Sequence, residues 1–369
     1  MNYKETLFFV AKCLTISLEE KNRKQIENQL KTSSINWEDI VKLSTSHYVL
    51  PALYCNLKRA DFLKYLPSDL IDYMQHITDL NRERNKQIIT QAKELNQLLL
   101  SNNITPVFLK GTSNIVEGLY EDIAERMVGD IDFIFSKQDY PKAIQILKGD
   151  DYSKSIDWYD SSPLFRHYSR LIKQGKVNAI EIHKDLLREK YSDEFNYTFI
   201  NKNVQKINTF NVLSFENQLT LSIAATQIND YGFHYKRIAL RNAYDVFLLS
   251  KKSNAKKSLD RFGTLTLPLN CFLATCYVAF GEINSLEYYR INKTDKYLST
   301  FYKLLNNDPV SKVKVKIKTT SIELFRKLII VFRCVYDKEH RVWIIKRVSE
   351  KKWQDQKLIQ LGLKKKKSR

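Results

Sequence analysis

Asp130 and Asp132 are the residues whose type and spacing point most directly to chemistry. They open the run Asp130-Ile131-Asp132-Phe133-Ile134-Phe135, whose alternation predicts a strand. Residues two apart in a strand share a face, so both carboxylates project together while Ile131, Phe133 and Phe135 pack on the other side. With no basic residue between them they repel unless a cation sits there. Mg²⁺ suits that place, because it takes a few carboxylates and completes its shell with substrate phosphates. A third acid, Glu181, lies on the polar face of the strand pattern Ala179-Ile180-Glu181-Ile182-His183. Upstream, Ile104–Leu109 reads as a buried strand that runs into Lys110-Gly111-Thr112-Ser113 and a short helix. A glycine at such a corner lets backbone approach closely, and the free amides of a helix N-terminus hold phosphate. Three acids on neighbouring strands beside a phosphate-cradling turn are what metal-assisted nucleotidyl transfer needs, with carboxylates holding the metals and one helping to activate the attacking hydroxyl.

The elements that position these groups follow from the hydrophobic period. From Lys4 to Leu100 the pattern is helical, ending in a long polar helix over Leu80–Leu100 with a stripe through Ile88, Ala92, Leu95 and Leu99. Ser101-Asn102-Asn103 ends it. Asp139–Leu147 predicts a helix with Pro141 in its first turn, and Val177–His183 a third strand. Strand, helix, strand, helix and strand in succession describe a small α/β unit. Beyond it, Phe215–Ile228 and His234–Lys251 read as two helices around an Asn229–Gly232 turn, followed by helices at Leu267–Phe280 and Lys296–Leu305. The expected fold is therefore α+β, a small mixed-sheet core flanked by N-terminal and C-terminal helical regions. The expected organisation is a helical region over 1–100, the α/β core over 101–210, a helical domain packing on it over 211–310, and a basic segment over 311–369.

Composition narrows the class. A chain of 369 residues with 43% hydrophobic residues, 21 Tyr and 19 Phe is not a disordered polyelectrolyte, and nine Gly and seven Pro exclude collagen-like architectures. Five cysteines with no CxxC pair indicate neither a disulfide framework nor a zinc site. The N-terminus shows no secretory signal and the longest apolar stretch is too short to span a membrane, so the expectation is a soluble cytoplasmic protein. The formal charge is +19, of which residues 311–369 carry +14. That charge bears on an acceptor or a location, and the chemistry rests on carboxylates.

From Trp37 to about Asp245 the chain resembles the uncharacterised nucleotidyltransferase family within the DNA polymerase beta-like superfamily. The resemblance rests on Trp37-Glu-Asp-Ile with His47 and Pro51, on Leu109-Lys110-Gly111, on Leu119-Tyr120 followed by Arg126, on Asp130-Ile-Asp132-Phe, on Glu181-Ile-His183, and on Arg241 with Asp245. It implies that Asp130 and Asp132 are the metal-binding pair, Glu181 the third carboxylate, and Gly111 with the residues after it the phosphate turn. The superfamily turn usually reads Gly-Ser or Gly-Gly. Here Thr112 and then Ser113 follow Gly111, which leaves open the hydroxyl that meets phosphate.

The supporting residues have two readings each. Lys110 either neutralises a triphosphate or is a solvated strand-end lysine. Arg126 either contacts nucleotide or pairs with Asp130 or Asp132. His183 reads as a hydrogen-bond partner that orients a carboxylate, and His167 as a loop histidine. Arg237, Arg241 and Asp245, four apart, form a salt-bridge ladder, or else Lys236, Arg237 and Arg241 face the cleft and grip the nucleotide or acceptor. Lys312–Lys318 alternates with Val313, Val315 and Ile317 as a lysine-protected edge strand would. With Phe325–Arg333, Lys351-Lys352-Trp353 and the Lys364–Lys367 tail it suits RNA, an anionic membrane surface or plain solvation. The functional expectation is a Mg²⁺-dependent nucleotidyltransferase, with two ions, that moves a nucleoside monophosphate from an NTP to a hydroxyl of tRNA or another RNA, a protein or a small molecule. The alternatives are a non-catalytic RNA-binding or regulatory module on the same scaffold, and a toxin-like enzyme acting on tRNA.

Overall fold

Five helices open the chain: α1 (Tyr3–Cys13), α2 (Glu20–Thr32), α3 (Trp37–Ser46), α4 (Leu50–Arg59) and α5 (Ser68–Ser101). They belong to a computed structural model that describes residues 1–155 and 166–360. A capping box starts α1, where Asn2 accepts from the Glu5 N–H and the Glu5 carboxylate accepts from the Asn2 N–H. α5 is 34 residues long, about 50 Å at the helical rise. Its buried positions Met74, Thr78, Asn81, Asn85, Ile88, Ala92, Leu95 and Leu99 alternate at spacings of four and three, which makes one continuous face. The apolar half of that face is the stripe expected from sequence. The other half is polar and equally buried.

The chain then enters the sheet through β1 (Val107–Leu109), α6 (Lys110–Val116), β2 (Ile131–Ile134), α7 (Asp139–Gly149), β3 (Ser153–Lys154), β4 (Leu171–Ile172) and β5 (Ile180–His183). Two short helices, α8 (Glu189–Ser192) and α9 (Tyr197–Asn201), lead to a hairpin of β6 (Val204–Ile207) and β7 (Phe210–Leu213). The strand order is β3-β4-β5-β2-β1-β7-β6. Pairs β2–β5 and β1–β7 are parallel and the others antiparallel, so the sheet is mixed and the fold is α+β with helical flanks. At its centre Phe108 meets Phe133 and Phe210 edge to face, with centroids 5.7 and 5.1 Å apart. The β6–β7 hairpin extends the sheet beyond the three strands expected. Its signal is Asn208, at φ 53°, between two alternating runs.

The second helical region comprises α10 (Phe215–Ala224), a π turn over Ala225–Asn229, α11 (Gly232–Tyr235), α12 (Leu240–Ser250), α13 (Thr266–Ala279), α14 (Asn292–Leu305), α15 (Pro309–Tyr336), α16 (Lys338–Ser349) and α17 (Lys351–Gln360). Two expectations are corrected here. His234–Lys251 is not one helix. Tyr231 and Lys236 take positive φ on either side of α11, and a Cβ on Gly232 would lie 2.8 Å from the Thr226 carbonyl oxygen. Arg237 therefore precedes α12, and no ladder with Arg241 and Asp245 forms. Lys312–Lys318 is helix, not edge strand. Asp308 caps α15 by accepting from the Ser311 N–H, Pro309 occupies the first turn, and lysine is a good helix former. Ser311 and Thr319 turn inward while the lysines point out. The side chains of Lys352 and Trp353 and the Lys364–Lys367 run lie outside the described residues.

Candidate active site

The polar half of α5 sets the two loops that lead into the acidic strands. Asn81 donates to the carbonyls of Ala124 (2.7 Å) and Arg126 (3.3 Å), and Asn85 to those of Ile123 (2.6 Å) and Arg126 (2.8 Å), which fixes the approach to β2. Gln91 exchanges two bonds with Asn178. Its Nε2 donates to the Asn178 carbonyl (2.8 Å) and its Oε1 accepts the Asn178 N–H (3.1 Å), which fixes the approach to β5. Asn96 donates to the Thr209 carbonyl in the β6–β7 turn (2.9 Å). Asparagine is a poor helix former, but each of these amides satisfies loop carbonyls that no strand partner reaches.

With those loops held, β2 and β5 run in register, Asp132 opposite Glu181 and Ile134 opposite His183. Asp132 is 6% exposed, and its Oδ1 lies 2.6 Å from Lys110 Nζ and 2.8 Å from His183 Nε2. The same ammonium lies 3.9 Å from Glu181 Oε2. Lys110 reaches this point because it leaves β1 at φ 53°, turning its side chain toward the neighbouring strand. Asp130, just before β2, pairs with Arg170. Ligand-type atoms of Asp132, Glu181 and His183 lie within 4.8 Å of one another.

The electrostatics of the cluster are unequal. Burial alone would raise Asp132, but the charge of Lys110 and the hydrogen bond from His183 hold it well below the usual carboxylate range. Burial, with the charge of Asp132 beside it, pushes Glu181 up to about 7. Burial also raises Asp130 against the opposing charge of Arg170. Burial and then Lys110 bring His183 down to about 4, so its ring is neutral at pH 7. A neutral ring has one N–H, and the contact with a carboxylate assigns it to Nε2. Nδ1 is buried with no partner among the described residues. An imidazole that ligates a metal through Nε2 carries its proton on Nδ1 and donates it to an acceptor, and none is present there among the described residues. His183 Nε2 is thus turned to Asp132, and Asp132, Glu181 and His183 are the described residues whose ligand-type atoms lie close enough to share a cation, with Asp130 just before them on the chain.

Other residues singled out from sequence are used differently. Arg126 is nearly buried, and its Nε and Nη2 contact Asp245 Oδ2 at 3.1 and 3.0 Å. Tyr120 donates to Asp245 Oδ1 at 2.6 Å, and Asn114 donates to the Tyr120 oxygen at 3.1 Å. Arg126 is therefore spent on a buried clamp, not on nucleotide and not on Asp130 or Asp132. Gly111 is closely packed, since a Cβ there would lie 3.2 Å from Val128 Cγ2, which would have to give by a few tenths of an ångström. The hydroxyls of Thr112 and Ser113 are fully buried, the first donating to the Asp130 carbonyl (3.3 Å) and the second without a partner among the described residues. Because α6 already begins at Lys110, both turn into the interior, which corrects the reading of either as a phosphate-facing hydroxyl. His47 accepts the Leu240 N–H (3.2 Å) and holds the start of α12.

Arg241 is half-buried on α12, its guanidinium 5.0 Å from the centre of the Tyr48 ring. It is one of four cations, with Arg166, Lys110 and Arg188, whose charges act on Asp230, a carboxyl that burial raises. Arg166 in turn acts within range of Glu181 and Asp132. Arg166, Arg170, Arg188 and Asp230 are absent from the sequence-based site. Their signal is slight, because Arg166 and Arg170 flank His167 before a two-residue strand.

A family model described as an uncharacterised nucleotidyltransferase matches residues 33–280, about two thirds of the chain, from before α3 to the end of α13. The chain belongs to this family. Among solved structures, the crystal structure of JHP933 from Helicobacter pylori matches at 13% identity with a TM-score of 0.30, covering 64% of this chain and 97% of that one. No curated protein matches the sequence.

Proposed function

We propose that this member of the family moves a nucleoside monophosphate from an NTP to an acceptor hydroxyl and releases pyrophosphate, with Mg²⁺ as cofactor. The observation that carries the reading is a charge imbalance. Asp132 and Glu181 share one cluster, Asp130 acts on both through its charge, and the cations in direct contact with the three among the described residues are Lys110 and Arg170. The excess negative charge and the carboxylate oxygens fit a hard divalent ion, or two. When bound, the metal would neutralise phosphoryl oxygens and favour ionisation of the acceptor hydroxyl.

The chain's own residues would do the rest. His183 keeps the Asp132 carboxylate in one orientation. Lys110, on the corner that includes Gly111, supplies a positive charge to the triphosphate, and Arg241, Arg166 and Arg188 extend that cationic side. The acceptor oxygen bonds to the α-phosphorus as the bond to the departing pyrophosphate oxygen breaks. The acceptor proton passes to a carboxylate of the cluster, for which Glu181, pushed up to about 7, is the member whose proton affinity is raised most.

The test is transfer of label from an α-labelled NTP, with Mg²⁺, to components of a cell extract, whether RNA, protein or small molecule. Loss of transfer in Asp130→Ala and Asp132→Asn is the expected result, and unchanged transfer in either would refute the assigned site. The inward-facing hydroxyls of Thr112 and Ser113 favour one other reading, a non-catalytic RNA-binding or regulatory module on the same scaffold. Mg²⁺-dependent NTP binding that disappears in Asp132→Asn would remove it.

A further inference from the structure

The two faces of α15 differ in kind. On its inner side Ser311 and Thr319 are buried, Glu323 accepts from the Tyr235 hydroxyl at 2.9 Å, and Arg333 pairs with Glu189, so the helix is held to the body at several points. The outer side of its second half is apolar and exposed among the described residues. Leu324, Leu328, Val331 and Val335 recur at helical spacing with Phe325 and Phe332 beside them, and all six are between 46% and 76% exposed. Toward the start of α15 the stripe continues through Val310, Val313 and Ile317, with exposed Lys314 and Lys318 among them. α16 repeats the pattern, exposing Val342, Ile345 and Val348 beside Lys338, Arg341 and Lys346. Arg341 donates to the carbonyls of Cys334 (3.1 Å) and Val335 (2.7 Å), which ties α16 to the end of α15.

Whatever covers this face must satisfy both its apolar stripe and its charge. At 100° per residue the six side chains span an arc of about 120°, wider than the narrow seam of a coiled coil. From Pro309 to Gln360 there are 14 Lys and Arg against 5 Asp and Glu, so a second copy would bring like charge to like charge. A nucleic acid answers the lysines but leaves a row of valine and leucine in water. An anionic bilayer answers both, taking the apolar side chains at the acyl boundary and the lysines at the headgroup phosphates. No described helix is long and apolar enough to cross a membrane, so the helices would lie in the plane of the interface. We propose that α15 and α16 form a docking surface for an anionic lipid bilayer, an inference that stands apart from the transfer reaction.

Flotation of the full chain with vesicles tests it. The protein is expected to float with vesicles that contain phosphatidylglycerol and to stay behind with pure phosphatidylcholine. The Leu328→Ser/Phe332→Ser variant should bind at least about tenfold less, because each exposed side chain lost removes apolar area from the bilayer contact. Lys314→Gln/Lys318→Gln should bind less and respond less steeply to salt. Failure to float with anionic vesicles, or equal flotation of the Leu328→Ser/Phe332→Ser variant, overturns the proposal. So does a dimer in sedimentation that this variant dissociates, which gives the stripe to a second copy. Single-stranded RNA binding that depends on Phe332 would give it to nucleic acid.

Discussion

Asp245 and Asp132 are both almost fully buried and both touch a cation, yet their surroundings are built on opposite terms. Around Asp245 the account closes. One carboxylate meets one guanidinium at two nitrogens, a tyrosine hydroxyl takes its other oxygen, and the ring of contacts contains no further acid. Around Asp132 it does not close. The cation is a lysine whose side chain is 27% exposed, the second donor is a neutral imidazole, and two more carboxylates stand within electrostatic reach. Arginine is rigid, permanently charged and suited to a fixed pair, whereas lysine is a point charge on a flexible stem. A balanced buried network is structure. An unbalanced one with a movable cation is where the proposed metal would sit.

That contrast can be broken in four ways, taken from the largest expected effect downward. Asp132→Asn should lower NTP label transfer by about 10³-fold or more while costing less in urea denaturation than Arg126→Met, since the lost contact with the partly exposed Lys110 is offset in part by relief of repulsion with Asp130 and Glu181. A large fall in stability would place Asp132 with Asp245. Arg126→Met should do the converse, costing about 3–5 kcal/mol in urea denaturation because it strands the buried Asp245 charge. An intact midpoint in that variant would dissolve the distinction from the other side.

Asn85→Ala should cost about 1–3 kcal/mol, the penalty for leaving the Ile123 carbonyl without its buried donor and the Arg126 carbonyl with Asn81 alone, and should raise amide exchange in residues 123–126. Exchange unchanged in that loop would show that α5 does not hold it. The smallest effect is expected at Lys110→Met, which removes the resident cation. Calorimetric titration with Mg²⁺ alone should then show affinity raised several-fold, by about 1 kcal/mol, the scale of a partly exposed ion pair. Weaker Mg²⁺ binding would mean that the lysine helps hold the metal site open instead of competing for it.

Much of the acidic core is legible from side-chain type and alternation alone. Asp132 and Glu181 stand on two short β patterns, and the pairing of β2 with β5 puts them opposite one another, with Asp130 just before β2. What escapes is whatever depends on a partner far along the chain. Asn81, Asn85 and Gln91 look like solvent-facing helix residues until the loops they serve are in place. Arg126, four residues before Asp130, is turned toward Asp245 on α12, which that sequence proximity conceals. The lysine alternation at 312–318 satisfies the strand period, but the Asp308 cap and Pro309 determine the local answer, and a helix needs no neighbour to satisfy its backbone. Arg166 and Arg170 carry no periodic signal at all.

The amides along α5 also make that helix a ruler. Asn81 and Asn85 read the loop before β2, Gln91 the loop before β5 and Asn96 the turn between β6 and β7, so three parts of the sheet are measured against one rod. One residue added between Asn85 and Gln91 would rotate everything beyond it by about 100° and advance it by about 1.5 Å, taking the β5 loop out of step with the β2 loop. Length can vary at the ends of α5, but between Asn81 and Asn96 the residue count is itself part of the catalytic geometry proposed for Asp132 and Glu181.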